Sequence, residues 1–235
     1  MRQIVGLIGT RGAGKDTAAA HLVANGWVRV AFADALYQEV ARAFGVSVEF
    51  LNHRDTKERP LPQLALKHCP DPRFVAVALK ATGICRAVRQ AYGQPRKAMP
   101  AGVFRRLKKV LTQPRSPRWI LQLWGTEYRR RLDGDDYWRQ RVAALITAAP
   151  NHNFVVTDVR FINEAMLLKQ YGATLARVIR PSLAGGADPA LLHVSEREML
   201  SYPTDYEVVN EEGEVGIANL HSELSRLFIP QALAA

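Results

Sequence analysis

The stretch Ile4-Val5-Gly6-Leu7-Ile8-Gly9-Thr10-Arg11-Gly12-Ala13-Gly14-Lys15-Asp16-Thr17 decides how this chain is read. Ile4, Val5, Leu7 and Ile8 make residues 2–9 a short apolar run that reads as a strand, and the Ala-rich residues 17–24 suit a helix. Between them, Gly9 to Lys15 fits G-x-x-x-x-G-K. Glycines let backbone N–H groups turn inward around phosphate oxygens, the helix N-terminus adds its dipole, and the lysine reaches the β- and γ-phosphates. Gly9, Arg11, Gly12, Ala13, Gly14 and Lys15 are therefore the expected nucleotide-binding residues, continued by Asp16 and Thr17. A ligand-free glycine-rich turn is the alternative, but it needs the lysine, the glycine spacing and both flanking elements to coincide.

Asp16 stands where a Ser or Thr usually places its hydroxyl on Mg²⁺, and the hydroxyl comes one residue later, at Thr17. The G-K-x-T form argues against motors, helicases and GTPases, where G-K-[ST] dominates. Asp16 suits a metal contact and equally a first-turn acid that complements the helix dipole.

Working outward, residues 27–33 (WVRVAFA) read as a second strand, with Asp34 placed to cap a helix over 35–44. Prolines recur between Pro60 and Pro117 and interrupt helical patches at 74–92 and 103–111. Residues 53–118 are thus expected as an inserted helical lid or substrate-binding region. Helices follow at 119–132, 137–149, 163–171 and 216–228, and strands at 153–157, 174–179 and 206–210. Residues 182–189 (SLAGGADP) read as a mobile loop. Strands alternating with helices imply one α/β domain over residues 1–235, a three-layer sandwich with a mainly parallel sheet and helices on both faces.

The chain has 235 residues, 48% of them hydrophobic, enough for a sizeable core. Its net charge of +10 is uneven: residues 54–131 hold 19 Lys or Arg against 4 Asp or Glu. Such a block attracts phosphate, either as arginines over a nucleotide or as a footprint on nucleic acid. No helix-turn-helix, zinc-finger or RNA-recognition signature accompanies it, so no stable nucleic-acid partner is expected. Two cysteines, Cys69 and Cys85, build neither a disulfide framework nor a zinc site. The first residues do not read as a secretory signal and no run of ~18 apolar residues occurs, so a cytoplasmic protein without a membrane partner is expected.

Three further stretches carry chemistry. Asn153 to Arg160 (NFVVTDVR) puts Asp158 and Arg160 at the carboxyl end of a buried strand, where open α/β sheets bind ligands. Asp158 can hold Mg²⁺ or orient an acceptor, Arg160 can neutralise a phosphoryl group in transfer, and Glu164 begins the next helix. A strand-end salt bridge, with Asn163 capping that helix, is the structural alternative. Gln122 to Arg131 (QLWGTEYRRR) is helical, so its three arginines point in different directions; Trp124, Tyr128 and Trp138 either stack on a base or fill the core. His193-Val194-Ser195-Glu196 reads as the capping start of a short helix more than as an acceptor contact.

Taken in order, GTRGAGKDT, FADAL, QLWGTEYRR, TDVRFINEA and HVSE resemble the deoxynucleoside monophosphate kinases of tailed bacteriophages, members of the P-loop NTPases. The resemblance touches most of the chain and is strongest at the loop and at 158–165. It implies Mg²⁺-dependent conversion of a deoxynucleoside monophosphate to the diphosphate by ATP, with Lys15, Asp16 and Thr17 on the ATP phosphates and metal. Asp158, Arg160 and Glu164 match the family's acidic and basic motif. Arg129 and Arg130, with Asp133 and Trp138, would line the acceptor pocket, and Asp34 would sit at its edge. It further implies a phage-encoded enzyme in the host cytoplasm, often a homodimer. Rival readings are another P-loop small-molecule kinase, resembling dephospho-coenzyme A kinase or phosphomevalonate kinase, and a P-loop ATPase that binds DNA.

Overall fold

The computed structural model describes residues 2–183, 199 and 201–229. The chain divides into two compact units: Met1–Phe32 with Arg139–Ala235, and Ala33–Trp138. Residues 53–118, expected as an insert, lie inside the second.

The first unit is built on five strands: β1 (Ile4–Ile8), β2 (Val28–Val30), β3 (Phe154–Val156), β4 (Thr174–Ile179) and β5 (Tyr206–Val209). All pairings are parallel and the order is β2-β3-β1-β4-β5, so β1 is central. Burial on both faces requires an apolar strand, and all five residues of β1 are buried. Ile4 and Ile8, with Phe154, Val156 and Leu175, pack on one face against Val142 and Ile146 of α9 (Tyr137–Ala148) and Ala165 and Leu168 of α10 (Ile162–Gln170). Val5 and Leu7, with Val155 and Val178, pack on the other against Ala18 and Leu22 of α1 (Lys15–Ala24) and Leu220 and Leu224 of α11 (Gly213–Phe228). The expected parallel α/β sandwich is the observed fold. At Gly6 in the centre of β1, a Cβ would lie 2.9 Å from a Leu168 methyl of α10 and 2.8 Å from a Leu175 methyl.

The second strand is shorter than residues 27–33, because only 28–30 pair with β3 and a helix, α2 (Phe32–Phe44), begins at Phe32. Asp34 therefore lies within the first turn of α2 rather than at its cap.

The second unit is helical. It holds most of α2, then α3 (Val48–Asn52), α4 (Pro72–Ala81), α5 (Arg86–Gln90), α6 (Ala101–Thr112), α7 (Pro117–Gln122) and α8 (Arg131–Asp133). The helix expected over 74–92 is two helices, interrupted at Gly83, whose φ of 69° belongs to the left-handed region. Residues Leu123–Arg130 between α7 and α8 form a π-helix, so the arginines at 129–131 are not spaced by α-helical steps throughout. The core includes Phe74, Leu79, Leu107, Ile120, Trp124, Tyr128 and Trp138.

Candidate active site

In the first unit, β1 delivers the chain into the glycine loop and α1 receives it at Lys15. Gly9, Gly12 and Gly14 have φ of 152°, 84° and 101°, values that side-chain-bearing residues rarely adopt. Two of these glycines are also sterically required. A Cβ on Gly9 would lie 2.6 Å from the Val178 carbonyl oxygen, and one on Gly14 would lie 2.0 Å from Asn210 Nδ2. The Lys15 ammonium donates to the carbonyls of Gly9, at 2.8 Å, and Thr10, at 2.9 Å. The lysine is thus folded back along the loop. Asp16 is exposed and Thr17 half-buried on the first turn of α1, whose N-terminus carries the positive end of the helix dipole.

The loop is held from β4 and β5 as well. Asn210, 3% exposed, follows β5; its backbone N–H donates to the Ile179 carbonyl at 2.8 Å and its side-chain amide to the Ala13 carbonyl at 2.9 Å. Arg180, directly after β4, donates through Nη1 to the Gly12 carbonyl at 3.2 Å. Neither residue was among the sequence candidates. The signal was present: Asn210 closes an apolar strand run with a polar residue, as Asp158 closes Phe154–Val156.

Asp158 lies past the carboxyl end of β3, the strand next to β1, and so on the same sheet edge as the loop. It is 9% exposed, and its Oδ1 accepts from the Phe32 N–H at 2.7 Å. Asp158 thereby satisfies the first N–H of α2, the capping task the sequence reading gave to Asp34. Glu164 is 3% exposed; its carboxylate accepts from the backbone N–H groups of Arg160, at 2.8 Å, and Phe161, at 3.2 Å. It fixes the turn from which the exposed Arg160 side chain projects. Asn163 lies inside α10, which begins at Ile162, so it is not the cap.

The second unit gathers Arg129, Asp133 and Trp138. Arg129 donates through Nε to Glu39 Oε2 at 2.7 Å and through Nη1 to Asp133 Oδ2 at 2.8 Å. Its guanidinium lies 4.5 Å from the Tyr128 ring centroid and 4.9 Å from that of Tyr137. Burial works against its charge, but the bonds to Asp133 and Glu39 outweigh burial and raise its pKa further. Glu39 also accepts from Trp124 Nε1, at 2.9 Å, and Tyr137 OH, at 2.5 Å. Asp133 accepts from Arg73 as well, and these two arginines hold its carboxyl below the usual range. Trp138 is 4% exposed and donates to the Gly125 carbonyl at 3.1 Å; Trp124 is 2% exposed. Both indoles fill the core, as the structural alternative held. Tyr128 OH donates to Asp71 Oδ2 at 2.5 Å, and burial followed by that bond pushes its pKa up to about 12. Arg130 is half-buried. The stretch His193 to Glu196 lies outside the described residues, as does most of 182–189.

Among the described residues, no helix is long and apolar enough to cross a membrane. No protein-family model matches the chain. Over 187 residues it is 29% identical to the deoxynucleoside-5'-monophosphate kinase of Escherichia phage T5, covering 72% of this chain and 73% of that protein. Over 218 residues it is 26% identical to a protein of Acanthamoeba polyphaga mimivirus provisionally named a deoxynucleotide monophosphate kinase, covering 88% and 86%. Among solved structures, TT1252 from Thermus thermophilus aligns with a TM-score of 0.41 and 13% identity, over 97% of this chain and 99% of its own. The resemblance seen in the motifs thus extends to curated relatives across most of the chain.

Proposed function

We propose that this chain transfers the γ-phosphate of ATP to a deoxynucleoside 5'-monophosphate, giving the diphosphate and ADP. The observation that carries the reading is the glycine loop itself: three left-handed glycines and Lys15, leaving the central strand of a parallel sheet, with Asp158 on the adjacent strand at the same edge. That arrangement supports ATP as donor. The acceptor class rests on the two relatives, whose names specify deoxynucleotides.

The chemistry asked of the chain is positioning and charge neutralisation in an in-line displacement, with no covalent phosphoenzyme. An acceptor phosphate oxygen attacks the γ-phosphorus while the bond to the β-γ bridging oxygen breaks and the electron pair leaves with ADP. Loop N–H groups bind the donor phosphates, and the Lys15 ammonium exchanges the Gly9 and Thr10 carbonyls for phosphate oxygens. Arg160, presented by the turn that Glu164 fixes, neutralises charge on the moving group. Asp16, Thr17 and Asp158 offer hydroxyl and carboxylate oxygens, the donors that Mg²⁺ takes, although one Asp158 oxygen already holds the Phe32 N–H. Mg²⁺ bound there would neutralise phosphate charge. Arg129, Arg130 and Asp133, with Asp34, are the proposed acceptor-side residues, while the buried Trp138 serves the core beneath them; the clamp on Arg129 supports a pre-oriented guanidinium rather than a mobile one.

The test is an ADP-release assay with Mg-ATP against the four deoxynucleoside monophosphates, the matching ribonucleotides, dephospho-coenzyme A and no acceptor. Turnover confined to deoxynucleotides is the expected result. Turnover with dephospho-coenzyme A alone, or only when DNA is added, would replace this reading with one of its rivals.

A further inference from the structure

The second unit carries a basic surface that the proposed transfer does not use. Between Pro72 and Thr126 the chain has twelve Lys or Arg and no Asp or Glu. Among the described residues, only Arg73 and Arg118 of these twelve reach a carboxylate, those of Asp133 and Glu58. Cations concentrated in this way repel one another until an external anion neutralises them.

Helix α6 gives that charge a shape. At about 100° per residue, Val103, Phe104, Leu107, Val110 and Leu111 share one face, of which Val103, Leu107, Val110 and Leu111 pack into the core of the unit. Arg105, Arg106, Lys108 and Lys109 occupy the opposite face and are exposed. Where the faces meet, a cavity of about 350 Å³ is walled by apolar groups of Tyr92, Met99, Phe104 and Leu111 and edged by Lys67, Arg96 and Lys108. The Arg96 guanidinium lies 4.6 Å over the Phe104 ring.

We propose that this face binds single-stranded nucleic acid, with a base in the cavity against Phe104 and phosphates along Lys67, Arg96, Lys108 and the outer side of α6. Aromatic platforms beside a cationic track are the chemistry of sequence-tolerant single-strand binding, which leaves none of the motifs that mark duplex readers. Three observations choose this occupant. The unpaired cations extend well beyond the cavity and outnumber the phosphates of one nucleotide, which favours a polymer. The cavity is at the small end of ligand pockets, which favours one unstacked base over a duplex. Val103, Leu107, Val110 and Leu111 of α6 are already consumed inside the unit, which leaves too little apolar surface on that helix to insert into a lipid layer. Such binding is salt-sensitive, unlike the stable partnership the sequence motifs argued against, and it does not depend on the kinase reading.

The full chain is titrated into a 5'-fluorescein oligo(dT) of about 20 nucleotides and followed by anisotropy. If about four phosphates are engaged, raising salt from about 50 to about 200 mM weakens binding roughly fifty-fold. The exposed triple variant Arg105→Glu/Arg106→Glu/Lys109→Glu is expected to lose at least about ten-fold with an unchanged thermal melt. Phe104→Leu keeps an apolar wall but removes the ring, and is expected to lose at least about five-fold. The proposal is overturned by no binding at the lower salt, by equal binding of a duplex, or by wild-type binding in either variant. It is equally overturned if dTTP displaces the strand at matching nucleotide concentration, or if phosphatidylserine vesicles bind as tightly as the strand.

Discussion

Replacing Asn210 with alanine would test whether the glycine loop is held from outside itself. The side-chain amide donates to the Ala13 carbonyl at 2.9 Å, both residues are buried, and the amide nitrogen fills the space that a side chain on Gly14 would need. Asn210→Ala removes the donor and leaves the Ala13 carbonyl unsatisfied in a buried setting, a loss of about 1–3 kcal/mol. For a chain of this length each kcal/mol lowers Tm by about 2–4 °C, so a fall of roughly 6 °C is expected. The Ala13–Gly14 peptide would also lose its fixed orientation, and with it the aim of the Gly14 N–H, so KM for ATP should rise. Asn210→Asp separates the two effects: it keeps the shape but sets a carboxylate against a carbonyl and near donor phosphates, and should raise KM more than alanine does. Thermal scans paired with ATP saturation curves decide the matter. If Asn210→Ala melts within about 1 °C of the parent chain with unchanged KM, the loop is self-supporting and this account of it is wrong.

Four shorter expectations follow from the same geometry. Lys15→Ala should abolish transfer while the chain still melts cooperatively, because the glycines and the Asn210–Ala13 bond continue to hold the loop; near-normal turnover would remove the loop from the chemistry. Gly14→Ala should be worse than Asn210→Ala, since a left-handed φ, about 1–2 kcal/mol in itself, adds to a collision with Asn210; equal or higher stability by thermal melting would contradict the glycine argument. Tyr128 should ionise only near pH 12, so in a spectrophotometric titration of the seven tyrosines a late step appears, to which Tyr92, also raised by burial, adds, and Tyr128→Phe removes the part near pH 12. Its raised pKa supplies stability that is full below the ordinary tyrosine pKa and is lost as pH climbs toward 12. For Asp205, burial opposes the charge, but the Leu175 N–H and the Lys169 ammonium outweigh it and depress the pKa. The stability it supplies is present above the usual carboxylate range and lost as pH falls through the depressed value, so Asp205→Asn should flatten the acid limb of a Tm-against-pH profile.

The loop, the central strand and the parallel sheet were legible because each rests on local rules. Burial on both faces demands an uninterrupted apolar run such as 4–8, and left-handed turns demand glycine at 9, 12 and 14. The same locality explains the misplacements. Asp34 has the composition of a helix cap, yet Asp158, far away in sequence, takes the Phe32 N–H, and the helix starts earlier than its local signals suggest. The helix expected over 74–92 divides because Gly83 turns left-handed, which a count of helix formers does not weigh.

The sequence by itself determined that a glycine loop leaves an apolar strand, that parallel strands follow, and that positive charge gathers in the middle of the chain, since all of these depend on residue type and near neighbours. Only the tertiary structure decided that Asn210 clamps the loop, that Glu164 spends its carboxylate on the turn behind Arg160, and that Arg129 is locked between Glu39 and Asp133. Those bonds join residues brought together by the packing of whole strands and helices, and a pairing of that kind leaves no periodic or local trace in the chain.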